Sequence, residues 1–238
     1  MVKMKENDFI QELMEIGIEL NEKQIKQFSD YADFLLEYNS HTNLTAIRNR
    51  DDVYLKHFFD SLLISKFKKF ENEKILDIGS GAGFPGVVLK IVYPEIKLTV
   101  LDANGKKCKF LEQLKLKLNI EYTVINDRAE NYVKSDRETF DIVVSRAVSA
   151  MPILSELALP FVKVNGYFIA YKGQIDEKIE NGSFAIDTLG GKVTNIFSTN
   201  LPVEKSVRTF VFVNKKCKTE GIYPRLFDKM QKKPLQKL

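Results

Sequence analysis

The chain has 238 residues, 44% hydrophobic and 29% charged, with a net charge of +4, which suits one substantial soluble core and excludes a disordered or low-complexity protein. No apolar run approaches the roughly 20 residues of a membrane helix, and no N-terminal stretch has the form of a secretory leader. Cys108 and Cys217 lie far apart with no CxxC pattern, so we expect a cytoplasmic protein without a metal centre.

In the first 70 residues apolar side chains recur at intervals of three and four, as in Phe9, Leu13, Ile16 and again in Ile25, Phe28, Ala32, Leu35. That spacing predicts helices, and a third over Arg50 to Phe67 with Val53, Leu55, Phe58, Phe59, Leu62 and Leu63 as its stripe. From Lys74 the pattern changes to short β-rich runs at 74–78, 97–101, 121–126, 140–145, 165–171, 193–197 and 206–213. Helix candidates separate them at about 85–93, 104–118, 128–133, 151–163 and 174–189. This alternation predicts a mostly parallel seven-stranded α/β sheet, and the short link Ser198 to Lys205 predicts that the last two strands form an antiparallel hairpin. We divide the chain into a helical extension over 1–70, a core over 71–214 and a tail over 215–238. The tail holds eight basic residues against Glu220 and Asp228, while the rest is close to neutral, which suggests either a phosphate-rich partner or a solvated end.

The most informative stretch is Lys74 to Gly86, an apolar strand ending in Asp77 and running into Gly79, Gly81 and Gly83. Such glycines let a backbone turn sharply and approach a ligand closely. A dinucleotide pyrophosphate is repelled by a carboxylate at that strand end, whereas S-adenosylmethionine carries two cationic groups and is attracted by it. Asp77 therefore favours S-adenosylmethionine over NAD. Asp102, ending the second strand about 20 residues on, is placed to accept ribose hydroxyls of either.

Asn126 to Glu130 follow the third strand, and Ser145-Arg146-Ala147-Val148 the fourth, where ligands of an open α/β sheet sit. The chain has neither an Asn/Asp-Pro-Pro-aromatic segment, which would accept protons from an exocyclic amine, nor a Pro-Cys nucleophile for pyrimidine C5. Both absences favour an acceptor atom with a free lone pair, such as guanine N7, whose methylation needs orientation rather than a base. A small metabolite as acceptor stays compatible with these residues.

Asn39 to Thr45, Lys56-His57-Phe58-Phe59-Asp60-Ser61-Leu62, Asp77 to Gly86, Asp127-Arg128-Ala129-Glu130, Ser145-Arg146-Ala147 and Tyr171-Lys172-Gly173 together resemble, in order and spacing over nearly the whole chain, the bacterial glucose-inhibited division protein B family. The resemblance implies a Rossmann-like class I fold, with the N-terminal helices packed as a cap, and S-adenosylmethionine-dependent N7 methylation of a guanine in the 530 loop of 16S ribosomal RNA. It also implies cofactor contacts at Gly79, Phe84, Ala129, Glu130 and Arg146, to which the electrostatic argument adds Asp77 and Asp102, and the loop Gly81. Arg146 is expected to position the base or the cofactor, with no general base. Phe84 reads equally as a cofactor wall or a core residue. Lys172 is a candidate phosphate contact. His57 and Asp60, three apart on one helical face, are expected to pack or to position RNA rather than to catalyse.

Overall fold

The computed structural model describes residues 4–146, 149–173 and 180–236. The expected segments at Ala147, Val148, the start of the helix at 174 and Lys237 lie outside the described residues.

Seven strands form one sheet in the order β3-β2-β1-β4-β5-β7-β6. They are β1 (Lys74–Ile78), β2 (Lys97–Leu101), β3 (Thr123–Ile125), β4 (Phe140–Arg146), β5 (Val162–Lys172), β6 (Gly191–Asn200) and β7 (Val207–Lys215). The first five pair in parallel, and β7 runs antiparallel to both β5 and β6. The expected strands are all present. β6 is an edge strand longer than its apolar run, with mostly polar exposed residues and a register shift between Val193 and Asn195. The helix expected over 151–163 stops early: α8 (Met151–Ala158) tightens into a 3-10 turn at Leu159–Phe161, where Pro160 has no N–H to donate, and β5 begins at Val162.

Successive strand residues point to opposite faces, and the core divides accordingly. Ile75, Val100, Ile142 and Ile169 join the face covered by α1 (Glu6–Glu15), α2 (Glu22–Thr42), α5 (Gly86–Val92) and α6 (Gly105–Leu118). Leu76, Val143, Phe168 and Val213 join the face covered by α7 (Ala129–Asp136), α8 and α9 (Glu180–Thr188). The N-terminal helices thus share a core with the sheet. α2 starts on an Asn21 and Gln24 capping box, and Gln24 and Gln27 donate to the terminal carbonyls Ile91 O and Leu118 O, closing the ends of α5 and α6.

The helix expected over Arg50 to Phe67 is interrupted. α3 (Arg50–Val53) widens into a π-helical stretch, Tyr54–Phe59, before α4 (Asp60–Leu62) and a 3-10 turn, Leu63–Lys66. Tyr54, Leu55, Phe58 and Phe59 are all buried, a stripe broader than one α-helical face, and the wider turn lets the adjacent rings share the core. Burial of one such ring contributes about 1.5–3 kcal/mol. Lys56, His57 and Asp60 are thereby delivered to the carboxyl edge of the sheet.

Candidate active site

Past β1 the chain turns through Gly79, Gly81 and Gly83, all at positive φ. The turn is held from three directions. Asp77, fully buried, accepts from Ser80 Oγ (2.7 Å) and Gly86 N (2.8 Å) through Oδ2, and a Cβ at Gly86 would sit 2.8 Å from that oxygen. Asp102 accepts from Gly81 N (3.0 Å) and Asn104 N (2.8 Å). Tyr31 of α2 donates to Ala82 O (2.5 Å), and at Gly83, where φ is +99°, a Cβ would collide with the Tyr31 hydroxyl.

A cavity of about 170 Å³ opens beside this turn at the ends of β1, β2 and β3. Gly79, Asp102, Ala129 and Glu130 line it on one side, Leu157 and Phe227 on another. Asp102 carries Lys107 at 3.7 Å, and Glu130 carries Arg128 at 3.9 Å, so both carboxylates keep accepting capacity. Of the residues expected to contact the cofactor, Asp77, Gly81, Phe84 and Arg146 do not line it. Burial raises the Asp77 carboxyl to about 6, and its Oδ1 has no hydrogen-bond partner among the described residues, so Asp77 braces the turn and projects negative potential from behind it. The donor set fits a ligand with hydroxyls, cationic groups and a flat apolar part.

On the other side of the loop a larger cavity, about 380 Å³, opens at the ends of β4 and β5 and the start of β7. Arg146, Arg208, Lys56 and Lys172 line it, with Tyr171 and Phe210 as apolar walls. Asp60, buried, holds both arginines: Oδ2 accepts from Arg146 Nη1 (2.9 Å) and Oδ1 from Arg208 Nε (2.5 Å). Lys172 donates to Ser149 O (2.5 Å), and burial lowers its pKa. Lys56 pairs with Asp52 (3.2 Å) and Glu204 (2.7 Å).

His57 lines the same cavity. Its Nδ1 lies 3.2 Å from Arg146 Nη2, and a guanidinium only donates, so Nδ1 accepts and the proton sits on Nε2, 2.9 Å from Thr45 Oγ1. Burial, with Arg146 beside it, holds the imidazole down to about 3, so it is neutral near pH 7. Its basic nitrogen is already engaged, which leaves orienting Arg146 as its task. The Phe84 ring stacks on His57 (4.2 Å between centroids) and on Tyr31 (5.5 Å), with Arg146 Cζ 5.0 Å from its centre. The ring is buried, a buttress between loop and arginine.

The polar stretch from Asn39 to Thr45 resolves into separate tasks. Asn39 donates to Thr45 O and Ile47 O, Asn43 ends α2 at φ 53°, and Thr45 alone reaches the site, through His57, while His41 is exposed. Cys108 is buried and donates to Asp102 O; Cys217 is exposed. Residue-level reading missed Arg208 and Phe227, which come from the last strand and the tail and carry no local motif.

Residues 24–207 match the family described as rRNA small subunit methyltransferase G. Curated relatives named ribosomal RNA small subunit methyltransferase G are 45% identical in Oceanobacillus iheyensis and 44% in Macrococcus caseolyticus, each covering 98% of this chain and 100% of the relative. Among solved structures, a putative sarcosine dimethylglycine methyltransferase from Galdieria sulphuraria aligns at TM-score 0.56 with 12% identity over 79% of this chain and 99% of that one. A SAM-dependent methyltransferase from Aquifex aeolicus aligns at 0.51 with 19% identity over 68% and 93%. At such identities these two show the fold alone, that of the class I methyltransferases.

Proposed function

Since the chain belongs to the rRNA small subunit methyltransferase G family, we propose that it transfers a methyl group from S-adenosylmethionine to N7 of a guanine in the 530 loop of 16S ribosomal RNA, in the cytoplasm. The observation that carries this reading is the pair of cavities at the carboxyl edge of the sheet, one lined by Asp102 and Glu130 and the other by Arg146, Arg208, Lys56 and Lys172, with His57 of the second already engaged by Arg146.

S-Adenosylmethionine, when bound, supplies an electrophilic methyl group on a sulfonium. In the acid-lined cavity Asp102 would accept from ribose hydroxyls, Gly79 would admit the ligand close to the backbone, and Ala129 with Glu130 would flank its adenine. Asp77 adds negative potential favouring its cationic groups. In the other cavity Arg146 and Arg208 hold a guanine nucleotide by its phosphate or its O6 edge, against Tyr171 and Phe210. Guanine N7 loses no proton when methylated, so the chain need only align the two ligands in a site poor in water. Orientation of this kind lowers a barrier by about 7–11 kcal/mol. Arg146, fixed by His57, Asp60 and Lys56 O, does the positioning.

Transfer of tritiated methyl to unmethylated 16S ribosomal RNA or 30S particles, followed by reduction and aniline cleavage, tests the proposal. One cut in the 530 loop is expected. Label on an exocyclic amine would contradict the assigned atom, and label confined to small molecules would favour a metabolite as acceptor.

A further inference from the structure

Beyond β7 the chain continues past the residues that the family match covers. This segment is not a solvated basic end. Lys215, fully buried, donates to Leu159 O (2.7 Å) and Thr219 Oγ1 (2.5 Å), and Thr219 N donates to Glu138 (2.9 Å). Arg137 donates to Tyr223 O. Arg225 binds the fully buried Glu156 of α8 through its backbone N (2.9 Å), Nε (2.8 Å) and Nη2 (2.6 Å). The short helix α10 (Phe227–Lys232) then buries Met230 completely in the core that also holds residues of α7 and α8, with Tyr223, Phe227 and Leu235 packed against that core. Two of the eight basic residues counted in the tail, Lys215 and Arg225, are therefore spent on internal anchors.

These anchors bring Phe227 to the wall of the 170 Å³ cavity that Asp102 and Glu130 also line. It is half-buried, and with Leu157 it makes the cavity's apolar side. Carboxylates suit hydroxyls and cations, but a purine ring also needs a flat apolar surface, and an aromatic side chain is the best one available. Resting on the reading of this cavity as the S-adenosylmethionine site, we infer that Phe227 is a cofactor-binding residue that packs on the adenine, and that the docked tail completes the pocket.

Equilibrium dialysis of the full-length chain with tritiated S-adenosylmethionine, without RNA, tests this on Phe227→Ala, Phe227→Leu and Phe227→Tyr. Leu keeps the apolar volume that packs the tail but removes the aromatic face; Tyr keeps both. Stacking of a base on an aromatic ring contributes about a tenfold or greater factor in affinity. The expected result is a Kd raised about tenfold by Ala and Leu and within about twofold of wild type for Tyr, with KM for the cofactor rising and kcat at saturation unchanged. Equal Kd for all four proteins, or loss by Tyr as large as by Leu, overturns the inference while leaving the cofactor site intact. A wild-type chain that binds no S-adenosylmethionine overturns the reading of the cavity as well.

Discussion

The carboxyl edge of the sheet is divided electrically, and on the proposed reading the division maps onto two ligands of opposite charge. Past β1, β2 and β3 the side chains around the cavity include Asp102, Asp127 and Glu130, with Asp77 behind. Past β4 and β5 and before β7 they are Arg146, Lys172 and Arg208, with Asp60 tying the arginines together. The proposed function would sort a cationic cofactor and a polyanionic RNA by position along this edge. Phe84 stands at the boundary, touching His57 and Arg146 and also Tyr31, which holds the glycine turn. The lesson is that a reaction needing no base still needs a fold that sets two opposite fields side by side.

The largest effect is expected where the acidic half leans on the tail. Arg225→Ala leaves the buried Glu156 carboxylate without its charged partner and with the backbone N–H of residue 225 alone of the three bonds, a loss of about 3–5 kcal/mol in denaturant unfolding. Next comes the basic half: Asp60→Asn removes the charge that fixes both arginines, and kcat/KM for RNA is expected to fall on the order of a hundredfold while the Kd of S-adenosylmethionine holds within about twofold. A matching loss of cofactor affinity would break the division. Gly83→Ala strains the turn at φ +99° and meets Tyr31 and Val87, costing about 1–3 kcal/mol of stability and weakening the cofactor more than the RNA.

The smallest effect is a pH slope. The folded state holds His57 at about 3, below its unfolded value near 6.5, so the unfolded chain takes up a proton that the folded chain refuses. The stability tied to His57 is complete above about pH 6.5 and is lost as pH falls through that value toward 3. Asp77 acts with the opposite sign: its carboxyl is raised to about 6 from an unfolded value near 3.8, so its contribution is present below 3.8 and is lost as pH rises toward 6. His57→Gln isolates the first contribution. Its unfolding free energy, measured at pH 7 and pH 5, is expected to fall less with acid than that of the wild type, by at most about 1.4 kcal/mol per pH unit.

Most of the fold was legible because each buried strand of a parallel sheet is a continuous apolar run, and the glycine turn announced itself by spacing. The electrostatic reading of Asp77 identified the kind of ligand, although its carboxylate turned out to brace the loop from behind the cavity. The site's other half was less legible. Asp60 and His57 were seen to share a helical face, but the π-helical stretch that aims them depends on how Phe58 and Phe59 pack. Arg208 lies in an ordinary strand, and its partner Asp60 is 148 residues away in sequence. The tail's charge suggested phosphate, yet Lys215 and Arg225 are anchors, and only contacts with Glu138, Thr219 and Glu156 reveal it. Lys216, Lys218, Lys229, Lys232 and Lys233 remain exposed for that role. Long-range pairing of this kind leaves no periodic trace.

The most direct test of the divided edge is a cross-comparison of Asp102→Asn and Arg208→Gln, each assayed for S-adenosylmethionine binding by equilibrium dialysis and for 16S ribosomal RNA binding by filter retention at fixed salt. The account predicts that Asp102→Asn loses cofactor affinity and keeps RNA affinity, and that Arg208→Gln does the reverse. Equal losses of both ligands in both variants would contradict it.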